Sequence, residues 1–142
     1  MSEQFIWIFR IFLSAIAGAL VGYERYSQSK EAGVKTHSIV AFASAMMMIL
    51  SKYGFADTGG ADTARIAAQV VSGVGFSGAG LIFIKCDVIQ GLTTAAGIWA
   101  TCGIGMCIGA GMYIVGMFTA VFIVLIQLYM RHAKYFSGSH IS

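Results

Sequence analysis

Residues 10–37, RIFLSAIAGALVGYERYSQSKEAGVKTH, decide the fold because they set a long apolar run between charged residues. The run opens at Arg10 and closes at the adjacent pair Glu24 and Arg25, and a short basic loop follows. Gly18 and Gly22 stand four residues apart within it, so both lie on one face of a helix. Charge beside or inside a membrane-compatible stretch is costly and usually serves a purpose. The stretch therefore predicts a membrane-spanning helix with charged groups at both ends.

The composition predicts that lipid surrounds most of the chain. Hydrophobic residues make up 58% and charged residues 11% of the 142 residues, whereas ordinary soluble domains carry roughly 25% charged residues. The length suits one domain. The net charge of +3 is small and scattered, which argues against a nucleic-acid partner because such binding needs a clustered basic face.

Five apolar spans are visible along the chain, at residues 5–23, 37–50, 64–84, 88–110 and 111–130. Most of them approach the ~20 residues that a helix needs to cross a hydrocarbon core of ~30 Å. Continuous apolar runs favour helices, whereas a membrane barrel requires alternation. We predict one domain over residues 1–142, an all-α, polytopic transmembrane helical bundle, with residues 131–142 as a short cytoplasmic tail.

The basic residues between the spans predict an orientation. One side carries Arg25, Lys30, Lys35, Lys85, Arg131 and Lys134, and the other carries Lys52, with Arg10 and Arg65 at span ends. The positive-inside rule then places the N-terminus outside and the C-terminus in the cytoplasm. The first span has no basic N-terminal flank and contains Arg10, so we do not expect it to be a cleaved signal peptide.

Glycine spacing predicts close helix packing. Gly18 and Gly22 in the first span, and Gly105 and Gly109 in the fourth, follow the spacing at which two helices approach closely. We interpret both as packing within the chain, the alternative being a dedicated dimer interface.

The run GVGFSGAG at 73–80 contains a literal G-x-G-x-x-G, but it lies within a span and lacks the strand and acidic residue of a dinucleotide site. Two interpretations remain open for it. The favoured one is a helix pressed against its neighbours, and the other is a local break whose carbonyls face a ligand.

The charges of the first span sit at opposite membrane boundaries. Arg10 and Glu24 are about 21 Å apart along a helix and cannot pair. Arg10 can extend to the outer interface, and Glu24 with Arg25 lies at the inner one, where Lys35, Lys85 or His37 could pair with Glu24. Anchoring and a functional role both remain open for these charges.

In the outer loop, which holds Asp57 and Asp62, we expect a salt bridge between Asp62 and Arg65 and only weak attraction for Mg²⁺.

Other reactive side chains form no catalytic or metal-binding pattern. Cys86, Cys102 and Cys107 have the character of small core residues. No nucleophile stands with a base in a recognisable pattern, so we predict that the chain is not an enzyme and has neither a metal site nor a cofactor.

The Thr93–Thr94 pair is expected to cap the fourth span or to form hydrogen bonds across helices. Trp99 is expected to pack inside the bundle.

Four segments occur in an order that resembles the MgtC/SapB family of bacterial inner-membrane proteins. They are Arg10 to Arg25 with its two glycines, GVKTH at 33–37, QVVSGVGFSGAG at 69–80 and GLTTAAGIW at 91–99. The resemblance makes the following residues functional candidates: Arg10, Glu24, Arg25, Lys35, Thr36, His37, Gln69, Ser72, Gly73, Gly75, Gly78, Gly80, Thr93, Thr94 and Trp99.

The resemblance implies a compact helical domain in the bacterial inner membrane. It also implies a role in growth under magnesium limitation, and in pathogens a role in virulence through survival inside macrophages. Some members of the family are thought to restrain the F-type ATP synthase. This chain ends soon after its fifth span and has Thr93 and Ala100 where some virulence-associated members have Asn and Cys. Both departures indicate the shorter, SapB-like branch without a soluble C-terminal domain, and they weaken the transfer of the virulence role.

Two functional hypotheses follow. The first is a non-enzymatic membrane protein that modulates magnesium or ion homeostasis, or membrane energetics. Its expected partners are the lipid bilayer, a second copy of itself, and a membrane protein such as an ATP synthase or a cation transporter. The alternative is a small oligomeric transporter or channel whose pathway is lined by Arg10, Glu24, Gln69 and the glycine run at 73–80.

Overall fold

The computed structural model describes residues 2–28, 30, 32–55, 62 and 64–137, with side chains up to residue 133. It contains five helices and one hairpin: α1 (Ser2–Ser27), α2 (Val34–Tyr53), α3 (Ala64–Ala79), β1 (Phe83–Lys85), β2 (Val88–Gln90), α4 (Leu92–Ala110) and α5 (Tyr113–Ser137). Within these described residues, four helices, all but α3, are long and apolar enough to cross a membrane. The predicted all-α transmembrane bundle is confirmed.

The helices run back and forth between two ends of the bundle, which we call the Arg10 end and the Glu24 end after the charged residues of α1. α3 begins beside the end of α2, where the Ala67 backbone N–H donates to Ser51 Oγ at 3.3 Å. It finishes beside the start of α4, where a Cβ added to Gly78 would lie 3.5 Å from the carbonyl oxygen of Ala95. The described helices therefore traverse the bundle five times in alternating directions. α3 is the shortest of them, with 16 residues and a length of about 24 Å, which is less than the hydrocarbon core of ~30 Å.

The third predicted span is wrong in its last five residues, 80–84. The sequence predicted a helix over 64–84, but α3 ends at Ala79 and the chain enters an antiparallel hairpin that pairs Phe83 with Gln90. Cys86 and Asp87 have φ values of 50° and 60°, the backbone of a two-residue turn that matches strand twist. Glycines weaken the helix here and the β-branched and aromatic residues that follow favour strands, so α4 begins at Leu92 and not near residue 88.

Glycines bring α2 into backbone contact with α1 and α4. A Cβ on Gly22 would lie 2.7 Å from Val34 Cα, and one on Gly109 would lie 2.9 Å from Ala45 Cα. Gly18 and Gly105 face the same helix, because an added Cβ would lie 2.8 Å from Ala41 Cβ and 2.9 Å from Ala41 Cα respectively. The structure thus places both glycine pairs at contacts within the chain.

The glycine run on α3 packs against a neighbouring helix at one position, Gly78. α3 is unbroken as far as Ala79, so the helix does not open toward a ligand within residues 73–79. A Cβ on Gly73 or Gly75 would have no atom within 4 Å, and Gly78 makes only an ordinary contact. The described part of the chain places no helix against Gly73 or against Gly75, so α3 is open on both of these sides.

Helix geometry adds to one other expectation and corrects a second. α5 continues to Ser137, so the first residues of the predicted tail, from residue 131, are helical. Trp99 is 55% exposed and does not pack inside the bundle. The inward face of α4 is occupied by small residues such as Gly97 and Gly105 that meet neighbouring helices closely, and the large indole ring lies on the opposite, outward side.

The hairpin offers a direct check on orientation, which stays a prediction. Cys86 is exposed, whereas Cys102 is buried and Cys107 half-buried, and the hairpin lies at the Glu24 end that the positive-inside rule assigns to the cytoplasm. A membrane-impermeant maleimide is expected to label inside-out vesicles and to leave intact spheroplasts unlabelled. The Cys86→Ser variant should lose that label, and labelling of spheroplasts at Cys86 would reverse the predicted orientation.

Candidate functional site at the Glu24 end

A buried charged pair closes the last turns of α1. Glu24 and Arg25 are each only 4% exposed. The Glu24 carboxylate accepts a hydrogen bond from the Gln28 amide on the next turn. Its second oxygen accepts one from α5, where the Gln127 amide nitrogen, in the orientation that satisfies both neighbours, donates to Oε2 at 2.8 Å. Both oxygens of the carboxylate are thereby bonded by neutral donors.

Gln127 also joins the two charges to each other. Its amide oxygen accepts from Arg25 Nε at 3.2 Å, while Arg25 Nη2 donates to the Thr93 carbonyl oxygen at 2.7 Å, in the first turn of α4. Carbonyls of that first turn accept helical bonds as well, so the guanidinium uses a remaining lone pair. One amide on α5 therefore connects an acid and a base on α1, and the base in turn reaches α4.

His37 brings α2 into the same cluster. Its ring is fully buried, and Nδ1 lies 3.0 Å from the Gly33 carbonyl oxygen. Because a carbonyl only accepts, Nδ1 carries the proton and Nε2 presents a lone pair. Among the described residues Nε2 has no hydrogen-bond partner. It faces Gly97, where an added Cβ would lie 3.5 Å from Nε2 and 3.7 Å from Arg25 Nη2.

The cluster holds two opposite charges within apolar helices at a tolerable energetic cost. A buried carboxylate or guanidinium is stable only when its charge is compensated and its remaining sites are hydrogen-bonded. Glu24 and Arg25 compensate each other's charge, and Gln127, Gln28 and the Thr93 carbonyl supply the hydrogen bonds. The described residues contain no group of three His, Cys, Asp or Glu side chains placed to hold a metal ion. We call Glu24, Arg25 and Gln127 the polar junction of this end. Because Gln127 bonds both charges, removing one charge is expected to disturb the hydrogen bonds of the other.

Arg10 forms a second junction at the opposite end. Its Nε donates to the Tyr113 hydroxyl at 2.9 Å, and Nη1 donates to the Tyr53 hydroxyl and the Gly109 carbonyl, both at 3.2 Å. Lys52 Nζ donates to the Ala110 carbonyl at 3.1 Å. Two cations thus satisfy carbonyls at the C-terminus of α4, where the helix dipole favours positive charge. Arg10 is therefore hydrogen-bonded to residues of α2, α4 and α5. The sequence had predicted only that its side chain extends to the interface.

We expect Arg10→Ala to destabilise the bundle by about 2 kcal/mol, because hydrogen bonds to a charged group contribute about 1.5–3 kcal/mol and this group is partly exposed. Unfolding of the purified protein in mixed detergent measures the loss. Arg65→Ala is the matched control, since Arg65 is exposed and should change stability by no more than about 0.5 kcal/mol. Equal losses in the two variants would show that the Arg10 contacts do not hold the helices together.

The other residues singled out by the sequence do not join either junction. Lys35 and Thr36 are exposed at the start of α2, and Gln69 and Ser72 are exposed on α3. Thr94 is buried in α4, whose N-cap residue makes no side-chain capping bond. Lys35 is exposed and is not the partner of Glu24. The amides of Gln28 and Gln127 bond the Glu24 carboxylate instead.

The predicted salt bridge in the outer loop is replaced by a helix cap. Asp62 Oδ1 accepts from the Ala64 backbone N–H at 2.9 Å, and the Asp62 carbonyl accepts from the Arg65 backbone N–H at 3.2 Å. Asp62 therefore satisfies free donors at the start of α3. Asp57, the second acid of that loop, lies outside the described residues.

Sequence reasoning missed Gln127 and the two tyrosines that bind Arg10. Gln127 had a signal, because it is the polar residue in the apolar run VFIVLIQLYM at 121–130, and polar groups inside membrane spans need partners. Tyr53 and Tyr113 had a weaker one, since aromatic hydroxyls near span ends are common in membrane proteins. In each case the partner is distant along the chain, so only the folded bundle identifies it.

The part of the chain that the structure describes has four helices long and apolar enough to cross a membrane. With the helix contacts made through glycine and the buried polar junction, they define a polytopic α-helical membrane protein. The model of the MgtC family matches residues 11–136. The chain belongs to the MgtC family.

Relatives in three bacteria illustrate this membership. YhiD of Escherichia coli (strain K12), whose name describes it as a candidate magnesium transporter, is 50% identical over 131 residues, covering 89% of this chain and 60% of YhiD. Protein MgtC of Salmonella typhimurium (strain LT2) is 35% identical over 130 residues, covering 92% of this chain and 54% of that protein. Protein MgtC of Brucella abortus is 35% identical over 116 residues, covering 82% and 48%.

The chain therefore spans about half to three-fifths of the length of the curated relatives it matches. No solved structure matches the chain.

Proposed function

We propose that this protein supports magnesium homeostasis in the bacterial inner membrane by contacting another membrane protein or a second copy of itself, without catalysing a reaction. Membership of the MgtC family and the name of the Escherichia coli relative support the connection with magnesium. The resemblance to proteins thought to restrain the ATP synthase makes an ATP synthase or a cation transporter the expected kind of partner.

The observation that carries the proposal is the unpartnered face of α3. Gly73 meets no atom within 4 Å of an added Cβ, and Phe76, three residues further on and therefore on the same side of the helix, is 85% exposed. Small residues without side-chain bulk are what membrane helices use to approach one another. α3 offers such a surface outward, where no described residue of this chain covers it.

The interior supports the same proposal because it is closely packed. Backbone contacts at the glycine pairs of α1 and α4 bring both helices directly against α2. Two buried hydroxyls midway along the bundle serve their own helices, since Ser14 donates to the Ile11 carbonyl and Thr101 to the Gly97 carbonyl. These hydroxyls are engaged locally and do not form a continuous polar lining between Arg10 and Glu24.

The test uses cells grown on limiting magnesium and liposomes loaded with a magnesium indicator. We expect Gly73→Leu to abolish growth support while the purified protein keeps its stability, because the new side chain points into open space and would obstruct only an external partner. Gly103→Leu is the matched control, since Gly103 of α4 also has nothing within 4 Å and should retain growth support. Wild-type protein in liposomes is expected to admit no Mg²⁺.

Two results would overturn the proposal. One is Mg²⁺ entry into liposomes that contain only the purified protein. The other is full growth support by Gly73→Leu, which would show that the open face of α3 contacts nothing needed for function.

A transporter or channel is the second candidate, and the buried Glu24–Gln127–Arg25 cluster favours it, because intramembrane charge often marks an ion pathway. Arg10 and Glu24 lie at opposite ends of α1, and Gln69 lies on the exposed side of α3. A pathway lined by these residues therefore requires an oligomer in which α3 faces its centre. Flux through liposomes that Glu24→Gln abolishes would establish this candidate, and unchanged or absent flux would reject it.

A further inference from the structure

A groove of about 460 Å³ runs between α1 and α5 near the Glu24 end. Its wall is apolar, formed by Leu20 of α1 and by Val121, Val124, Leu125 and Leu128 of α5. These α5 residues recur every three or four positions, so they make one continuous stripe on the helix. The volume falls in the range of about 300–1,000 Å³ that small-molecule sites occupy.

The groove opens sideways, onto the surface that faces lipid. Leu20, Val121 and Leu125 are 46%, 51% and 55% exposed, and both helices are long and apolar enough to span the membrane. The groove reaches from the apolar part of the helices to their charged ends, where Glu24 and Arg131 border it. A molecule that fills it must therefore be apolar along most of its length and polar at one end.

Arg131 is the charge available to such a molecule. The Glu24 carboxylate is already bonded by the Gln28 and Gln127 amides and is 4% exposed. Arg131 is exposed, and no described residue is shown accepting a hydrogen bond from it. A guanidinium above an apolar groove complements a phosphate attached to a hydrocarbon chain, because it offers several donors to phosphate oxygens.

The wall chemistry distinguishes a lipid chain from a helix. Where this chain packs helix on helix closely, it uses glycine, as at Gly18 and Gly109, which face α2 at distances that no larger residue allows. The groove wall has branched Val and Leu side chains and no glycine. Such a surface leaves space for a flexible acyl chain, whereas a close-packed helix needs small residues to approach.

We propose that the groove between α1 and α5 is a phospholipid-binding site, with an acyl chain against the Val and Leu wall and the phosphate on Arg131. The site is separate from the open face of α3, so its existence does not depend on the contact function proposed above.

The test measures lipid binding to delipidated protein in detergent by native mass spectrometry and thermal unfolding. Phosphatidic acid is expected to bind one molecule per chain and to raise Tm by roughly 5 °C at saturating concentration, and diacylglycerol, which lacks the phosphate, should bind at least tenfold more weakly. Arg131→Gln should remove this preference. Inorganic phosphate alone should give no shift, which separates a lipid head group from a free anion.

Filling the groove should remove the site itself. Leu125→Trp is expected to lose the phosphatidic acid adduct, while Ile126→Trp keeps it, because Ile126 is exposed on α5 but does not line the groove. Val121→Phe serves as a second filling variant if Leu125→Trp does not fold. Retention of the adduct by a folded groove-filling variant would overturn the proposal. So would a dimer that dissociates on groove filling, since the occupant would then be a second copy of the chain.

Discussion

Gly105→Leu is expected to abolish the folded bundle. An added Cβ at this position would lie 2.9 Å from Ala41 Cα, and the atoms it meets are backbone atoms of α2, which cannot rotate away as a side chain can. Overpacking usually costs about 1–3 kcal/mol, and we expect a cost at or above the upper value because two helix backbones must separate. Size-exclusion profiles and unfolding in mixed detergent measure the loss.

The same helix supplies the control for Gly105→Leu. Gly103 is two residues away on α4 and has nothing within 4 Å of an added Cβ. Gly103→Leu should leave the protein folded and gain up to about 1 kcal/mol, since glycine is an unfavourable helix residue. If the two variants behaved alike, helix propensity and not the α2–α4 contact would govern stability at these positions.

Arg25→Leu is expected to cost about 3–5 kcal/mol, because it leaves the Glu24 charge buried without its compensating guanidinium. Glu24→Leu should cost a similar amount for the complementary reason. The double variant should lose less than the sum of the two by at least about 1 kcal/mol, because removing both charges removes the unpaired-charge penalty. Unfolding of the four proteins in mixed detergent completes the double-mutant cycle.

The exposed residue Lys35 provides the comparison for Arg25→Leu. It is a basic residue near the same end of the bundle, so Lys35→Leu removes equal charge and should change stability by no more than about 0.5 kcal/mol. Additive losses in the Glu24 and Arg25 variants would contradict the junction, since they would mean that Gln127 does not couple the two charges.

Local patterns predicted much of the fold because lipid imposes a simple requirement on backbone and side chains. Helices of about 20 apolar residues are the structures that satisfy their own hydrogen bonds in a bilayer, so spans could be read from composition. The α3 error arises from a competing local effect. Residues 80–84 are apolar enough to extend a span, but glycine and β-branched residues there favour a hairpin over a helix.

The site was predicted only in part because its partners are far apart along the chain. Glu24 and Arg25 were singled out by their cost in an apolar setting, but their link is Gln127, about one hundred residues further on. The alternatives for Gly73 and Gly75 show the same limit of sequence reasoning. The sequence shows that a helix could pack closely against these glycines, but it does not show whether another helix lies there. Long-range arrangement decides both questions.

The stretch 10–37 by itself determined a membrane helix with a charge at each end. In lipid, an apolar run of that length satisfies its own backbone hydrogen bonds as a helix. The tertiary structure decided what those charges do. It ties Arg10 to Tyr53, Tyr113 and the end of α4, and it joins Glu24 to Arg25 through Gln127. Buried charges require partners, but the partners come from helices that only folding brings alongside α1.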